Sequence, residues 1–506
     1  CSSDLHGTSN PWGLDYDQHG EWFVTACVIP HLYHIVPGGR YQRQAGQHFN
    51  AYTYEDIKTI ADHAHYAGNP RPDVTFDKTT GAGVMNNDTN ALGGGHAHCG
   101  LAIYQSSLFP PTYRNQLLFG NLHGHRLVAN YTDVKGSTYI GKHAADFLRA
   151  NDMHFIPVTQ KVGPDGALYV SDWSDQQICH RGSGAVEHWD RSNGRIYRVT
   201  YAGPPATSDR SDLSDKSDFP KAPFDLAKEP DEKLARLAVQ TENEWFSRMA
   251  RRVLMEKTST GGLTIKPGNS LSDAASVLHQ WSANTAPAIT QLRAFWGLHA
   301  VGYKTAEGHE FATVVADLAK DEHVAAWCIR RWNETVPSKL PALETWQSTS
   351  PIVRRELASA LQRLPQDQRK DLATALLKHG EDAEDPMIPL LIWYGIEPVV
   401  AADAAVGLQL AKVSKMPKVT EFIYRRLAGE EAGIQGLLKL AAESKDAALR
   451  QNLLTAVVQA ARGGSKVSAP SNWTQMRESF VGVQASADPN QDHQFKKRNS
   501  GVAHSV

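Results

Sequence analysis

Two stretches of this chain repeat one another 146 residues apart. Asp17-Gln18-His19-Gly20-Glu21-Trp22-Phe23-Val24-Thr25 and Gly163-Pro164-Asp165-Gly166-Ala167-Leu168-Tyr169-Val170-Ser171 share a tight turn ending in Gly, followed by an apolar strand. Leu32-Tyr33-His34-Ile35-Val36-Pro37-Gly38-Gly39 and Ile196-Tyr197-Arg198-Val199-Thr200-Tyr201-Ala202-Gly203 supply a second matching strand that runs into glycine. A repeated hairpin constrains the fold strongly, because each unit has to bury its apolar face on a neighbour. Propeller blades run ~40 to 50 residues, so this offset predicts about three blades. A ring needs at least about four to close; the segment therefore reads as the C-terminal part of a partial β-propeller, roughly its last three to four blades.

The pattern changes after Tyr201. Residues 203–230, with Gly203-Pro204-Pro205, Pro223 and many Ser and Asp, read as a linker. Beyond it, apolar residues recur at helical spacing: Trp245, Phe246, Met249, Ala250, Val253 and Leu254, then Gln291–Gly302, Val324–Trp332, Ile352–Leu364, Ile388–Ile396, Val419–Leu427 and Leu449–Ala461. Ser350-Pro351 and Asp385-Pro386 have the form of an N-cap with Pro at the first helical position, and Gly463-Gly464 closes the last stripe. The expected domains are 1–202, the propeller part; 203–230, the linker; 231–464, a HEAT/armadillo-like α-solenoid; and 465–506, a tail without pattern. An irregular helical domain is the alternative to the solenoid.

Lys plus Arg (52) nearly balances Asp plus Glu (54), which leaves no global field to recruit nucleic acid. No apolar run approaches the roughly 20 residues that span a bilayer, and no signal-peptide pattern is present. The opening Cys1-Ser2-Ser3-Asp4-Leu5 lacks an initiator Met and reads as foreign to the rest of the sequence, so the chain is expected to be a fragment. None of the five cysteines has CxxC or CxxCH spacing, which excludes a covalent c-type haem or zinc ribbon within these residues. Cys27, Cys99 and Cys179 fall in the strand-rich part, where either a disulfide between two of them or buried free thiols would fit.

Histidine is concentrated in that same part, with 15 of 22 before residue 190. The run Gly93-Gly94-Gly95-His96-Ala97-His98-Cys99-Gly100-Leu101-Ala102-Ile103-Tyr104, then Phe109-Pro110, Tyr113-Arg114-Asn115 and Asn121-Leu122-His123-Gly124-His125-Arg126, resembles the membrane-bound dehydrogenase domain proteins, also called PVC-type haem-binding proteins. Asn10-Pro11-Trp12-Gly13, residues 162–173, residues 190–199 and Glu244-Trp245-Phe246-Ser247-Arg248 fit the same family, so the resemblance covers roughly residues 10–460. It implies a propeller similar to the quinoprotein glucose and sorbosone dehydrogenases, helical repeats, and a cytochrome c domain that lies outside this sequence. It also implies an exported, periplasmic or cell-envelope protein that oxidises a sugar or related alcohol and passes electrons to haem or a cytochrome partner.

Such chemistry needs a base for the hydroxyl proton and groups that polarise the quinone carbonyls. His98 and His123 are the candidate bases; His96, His125 and Arg126 are the candidate residues for binding a cofactor such as pyrroloquinoline quinone. Asp172 and Asp175 are candidate ligands for Ca²⁺. The same histidines also suit a metal site, or hydrogen bonds between neighbouring blades without chemistry. A non-catalytic scaffold that binds glycans or proteins is the rival function.

Overall fold

The computed structural model describes residues 6–462 apart from 9, 28–30, 44–45, 47, 49, 62–73, 77–82, 86–97, 123, 151, 153, 176–191, 202, 204–223, 240–241, 262–269, 283–285, 304–320 and 336–348. Strands come first and helices follow. β1 (His6–Thr8) pairs in parallel with β5 (Arg40–Arg43), while β2 (Pro11–Tyr16), β3 (Trp22–Ala26) and β4 (Leu32–Ile35) form an antiparallel sheet in that order. β6 (Val74–Phe76) and β7 (Gly83–Met85) make a hairpin. β8 (His98–Ile103), β9 (Leu117–Asn121), β10 (Arg126–Lys135) and β11 (Thr138–His143) lie in the order β11-β10-β9-β8, with β12 (Leu148–Arg149) also paired to β10. β13 (Pro157–Val162), β14 (Leu168–Asp172) and β15 (Arg195–Val199) form the last sheet, with the same sequential order as the first.

β8, β9 and the first half of β10 are buried on both faces, and period-two alternation sorts their residues. Leu101, Ile103, Leu117, Phe119 and Val128 pack against Phe23 and Leu32 of the first sheet. Their neighbours Ala102, Leu118, Leu127 and Ala129 pack against Phe155, Leu168 and Val170 on the side of the last sheet.

The repeat seen in the sequence is a repeat in structure. Gly20 N donates to Asp17 O and Asp17 N to Glu21 O, both at 3.0 Å. Gly166 N donates to Gly163 O at 3.0 Å and Gly163 N to Ala167 O at 2.9 Å. Gly20 and Gly166 have φ of 75° and 73°, a left-handed conformation that glycine adopts without steric cost.

The helices are α1 (Asp231–Val239), α2 (Glu244–Gly261), α3 (Ser270–Trp281), α4 (Ala288–Ala300), α5 (Glu322–Thr335), α6 (Pro351–Ala360), α7 (Gln366–Leu376), α8 (Ile388–Ala402), α9 (Ala404–Val413), α10 (Pro417–Leu427), α11 (Glu431–Glu443) and α12 (Ala447–Arg462). The expected cap at Ser350 is present: its side chain accepts from Ile352 N and Val353 N, with Pro351 at the first position. Asp385 caps the start of α8 through Met387 N and Ile388 N. Gly463-Gly464 lies outside the described residues. None of the helices searched is long and apolar enough to cross a membrane.

The change from strands to helices does not coincide with the division into compact units. One unit runs to Leu376 and takes in Glu381–Gly395; the other comprises Leu377–Gly380 and the residues from Ile396 on. The first unit holds together because helices grip hairpin tips. Trp327 of α5 donates its indole N–H to His19 O at 2.7 Å. Asn243, which caps α2, donates to Gly163 O and Pro164 O, each at 3.1 Å. Ser359 of α6 and Gln362 bond the carbonyls of Pro37 and Gly38, and Asp385 accepts from Ser137 N and Oγ at 2.7 Å.

Beneath these contacts lies a buried charge cluster. Arg355 reaches Glu21 at 2.6 Å and Glu356 at 2.9 Å, Arg330 reaches Glu356 at 2.6 Å, and His34 Nε2 meets Glu21 at 2.9 Å. Burial alone would push the Glu21 carboxyl up, but Arg355, His34 and Arg330 outweigh it and hold it well below the usual carboxylate range. Burial pushes the His34 imidazole down against the pull of Glu21, so the ring is neutral. Two carboxylates and two guanidiniums then balance, the condition under which buried charge is tolerated.

In the second unit each helix from α9 to α12 packs on the next. α9 also packs on α11, and α10 on α12. Leu410, Val419, Ile423, Leu427, Ile434, Leu437 and Leu453 form its core, and Arg426 bonds Glu397 at 2.9 Å.

Candidate functional site

Register places two of the expected site residues on one face. His98 on β8 is paired with Asn121 on β9, which is paired with Arg126 on β10. Directly opposed residues of antiparallel strands project to the same side, so the three side chains form a row across β8, β9 and β10 at one end of these strands. The His98 ring packs tilted against His31 at 4.6 Å and edge-on to Phe119 at 5.2 Å. All three members of the row are buried.

The turn between β9 and β10 is fixed from both sides of this row. Asn121 Oδ1 accepts from Gly124 N at 2.8 Å, and Arg126 Nε donates to Gly124 O at 3.0 Å. Arg126 also pairs with Asp146 at 2.9 Å, and Asp146 with the exposed Arg149 at 2.7 Å. Burial lowers the Arg126 pKa against the attraction of Asp146. Among the described residues, Asn121 Nδ2 and Arg126 Nη2 are buried donors that meet no acceptor. Two such donors on neighbouring positions can hold a carbonyl or carboxylate oxygen. Asn121 opens one of the runs that carry the family resemblance but is not among the candidate site residues, since one Asn closing an apolar strand gives no sign of a role until the register is known.

His125 is placed differently. It is left-handed, with φ of 49°, and its Nδ1 lies 3.1 Å from Phe155 O. A carbonyl only accepts, so Nδ1 carries the proton and Nε2 is left as the acceptor. Burial pushes the His125 pKa down, partly offset by that carbonyl, and keeps the ring neutral.

Asp172 ends β14. Its Oδ1 accepts from Ile156 N at 2.7 Å and Ser174 N at 2.9 Å, and its Oδ2 is 2.9 Å from Arg195 Nε. Arg195 continues to Asp152 at 2.9 Å and His154 O at 3.0 Å. Asp172 therefore fastens the loop after its own strand to the start of β13 and to edge strand β15. Asp175 is buried close by in sequence. Among the described residues no group of three or more His, Cys, Asp and Glu side chains is arranged to hold a metal ion. His96, His123 and the Gly93-Gly94-Gly95 approach lie outside the described residues, as does Cys179. Cys27 and Cys99 are both in the thiol form.

A family model for a domain of unknown function, DUF7133, matches residues 3–203. No curated protein and no solved structure matches the chain.

Proposed function

We propose that this chain belongs to an exported oxidoreductase that oxidises a sugar or related alcohol, with the electrons passed to a haem domain or cytochrome outside this sequence. The observation that carries the reading is the row His98, Asn121 and Arg126, where an imidazole shares a face with two buried donors that meet no acceptor among the described residues. The motifs around it are those that resemble the quinoprotein-like, haem-binding family. The matching hairpins in two sheets of like strand order support blades of a β-propeller, and the stacked helices of the second unit support a HEAT-like array.

The residues fit a quinone cofactor such as pyrroloquinoline quinone at one place and Ca²⁺ poorly at another. Asn121 Nδ2 and Arg126 Nη2 suit the carbonyl or carboxylate oxygens of the quinone. Asp172 does not suit Ca²⁺, because both of its oxygens are engaged and a guanidinium lies where the cation would sit; no step is assigned to it. A quinone held by Asn121 and Arg126 would supply the hydride acceptor. His98 takes the hydroxyl proton, and Arg126, held by Gly124 and Asp146, steadies the developing negative charge without having to reorganise.

Purified protein supplied with pyrroloquinoline quinone and Ca²⁺, with a dye acceptor, is expected to oxidise members of a sugar panel. Absence of both turnover and quinone binding would replace this reading with a scaffold for glycans or proteins. That second reading has its own support in Trp12, Leu14 and Trp22, which leave aromatic and apolar surface exposed on the first sheet.

A further inference from the structure

We infer that Cys27 and Cys99 close a disulfide as the protein folds in an oxidising environment, a covalent staple between the first sheet and the five-stranded sheet. The two thiols belong to one small cluster: Cys99 packs with Leu122 and Ile156, and Cys27 lies against the same group. The backbones on either side of the cluster are already in contact. Thr25 Oγ1 donates to Gly100 O at 2.9 Å, and a Cβ on Gly13 would fall 2.2 Å from that same oxygen, so the chains approach as closely as glycine allows. Cys27 follows Thr25 by two residues and Cys99 precedes Gly100 by one.

The two thiols differ in reactivity. Cys27 is half-buried, whereas Cys99 is fully buried and donates its S–H to Pro157 O at 2.9 Å. Burial, with Cys27 adding to it, pushes the Cys99 thiol well above its usual range. Cys27 is therefore the attacking sulfur. Its thiolate opens the S–S bond of a small disulfide such as oxidised glutathione, forming a mixed disulfide and releasing one thiol. The deprotonated Cys99 sulfur then displaces the second thiol from Cys27. Two protein S–H groups become one S–S bond, and the oxidant disulfide leaves as two thiols carrying the protons. The second step needs Cys99 before it is buried, so the bond forms during folding.

The oxidising setting rests on the exported reading, but the chemical test is independent of it. Protein refolded in a reduced and oxidised glutathione couple is alkylated, digested without reductant and mapped by mass spectrometry. A peptide joining Cys27 to Cys99 is expected, with two fewer titratable thiols after denaturation than in the reduced sample. Already folded, reduced protein should form the bond at least about tenfold more slowly, because the Cys99 thiolate is scarce. Cys27→Ser should lose the linked peptide and Cys328→Ser should keep it. Because the wild-type thiol count needs no variant, the idea stays testable even where Cys27→Ser folds badly. Full alkylation of Cys27 and Cys99 in refolded protein, or Cys99 joined to Cys179 instead, would overturn it.

Discussion

Arg355 of α6 and Glu21 of the first hairpin, 334 residues apart in sequence, meet at 2.6 Å with each side chain 1% exposed. The pair joins a helix to a strand hairpin within the first unit. Arg355 Nη1 also donates to Ser137 O at 2.6 Å, so one guanidinium touches two hairpin tips.

Removing one side of this pair leaves an uncompensated buried charge. Arg355→Met is expected to destabilise the protein by about 3 to 5 kcal/mol. Adding Glu21→Gln should recover part of that loss, since the stranded carboxylate is then neutral. A double-mutant cycle by urea denaturation reads both; a loss in the double variant equal to the sum of the two single losses would mean that the two residues are not coupled.

Stability should fall on acidification in two stages. The folded pKa values of His34 and His125 lie below the ordinary 6.5, so the unfolded chain takes up protons first. Their contribution is complete above about pH 6.5 and is lost as the pH drops below it. Glu21 and Glu356 are held below 4.5, so their contribution begins to go only under that value. His19, raised by Asp17 despite its burial, acts in the opposite direction and blunts the first stage. A Tm series from about pH 8 down to about pH 2 checks the order, and His34→Gln should flatten its upper stage.

Gly20 and Gly166 occupy the same turn position, yet Gly20→Ala should be the more damaging change. Both substitutions force a left-handed alanine, at a cost of roughly 1 to 2 kcal/mol. At Gly20 the new Cβ would also lie 2.6 Å from the rings of both Trp296 and Trp327. Thermal denaturation of the two variants side by side decides it: equal losses would mean that the tryptophans yield without penalty.

What the residues announce is local. Gly20 and Gly166 reveal their turns because only certain residues tolerate that backbone, and Ser350-Pro351 reveals a helix start because side-chain and ring chemistry both mark it. Residue type alone puts Arg354-Arg355 on a solvated or inter-repeat ion-pairing face. Arg354 does pair with Asp382, near the start of another helix, but Arg355 is buried against a hairpin from the strand-rich part. Nothing local announces a partner more than 300 residues away.

The candidate site is legible to the same degree. His98 and Arg126 stand out as residue types suited to the expected chemistry, but their alignment through Asn121 depends on strand register, which residue types do not declare. Asp172 stands out for its charge, yet that charge serves the backbone. Its bond from Ser174 N, two residues on, is a local Asx turn that the sequence Asp172-Trp173-Ser174 already contains.

The match to the domain of unknown function ends at residue 203, a natural place to divide the gene for expression. Severing the polypeptide there would put Glu21 and His34 on one recombinant half and Arg330, Arg355 and Glu356 on the other. Each half would carry an unbalanced unit of charge, opposite in sign, on the surface it had shared. The halves are therefore expected to be poorly soluble alone and to complement one another when produced together.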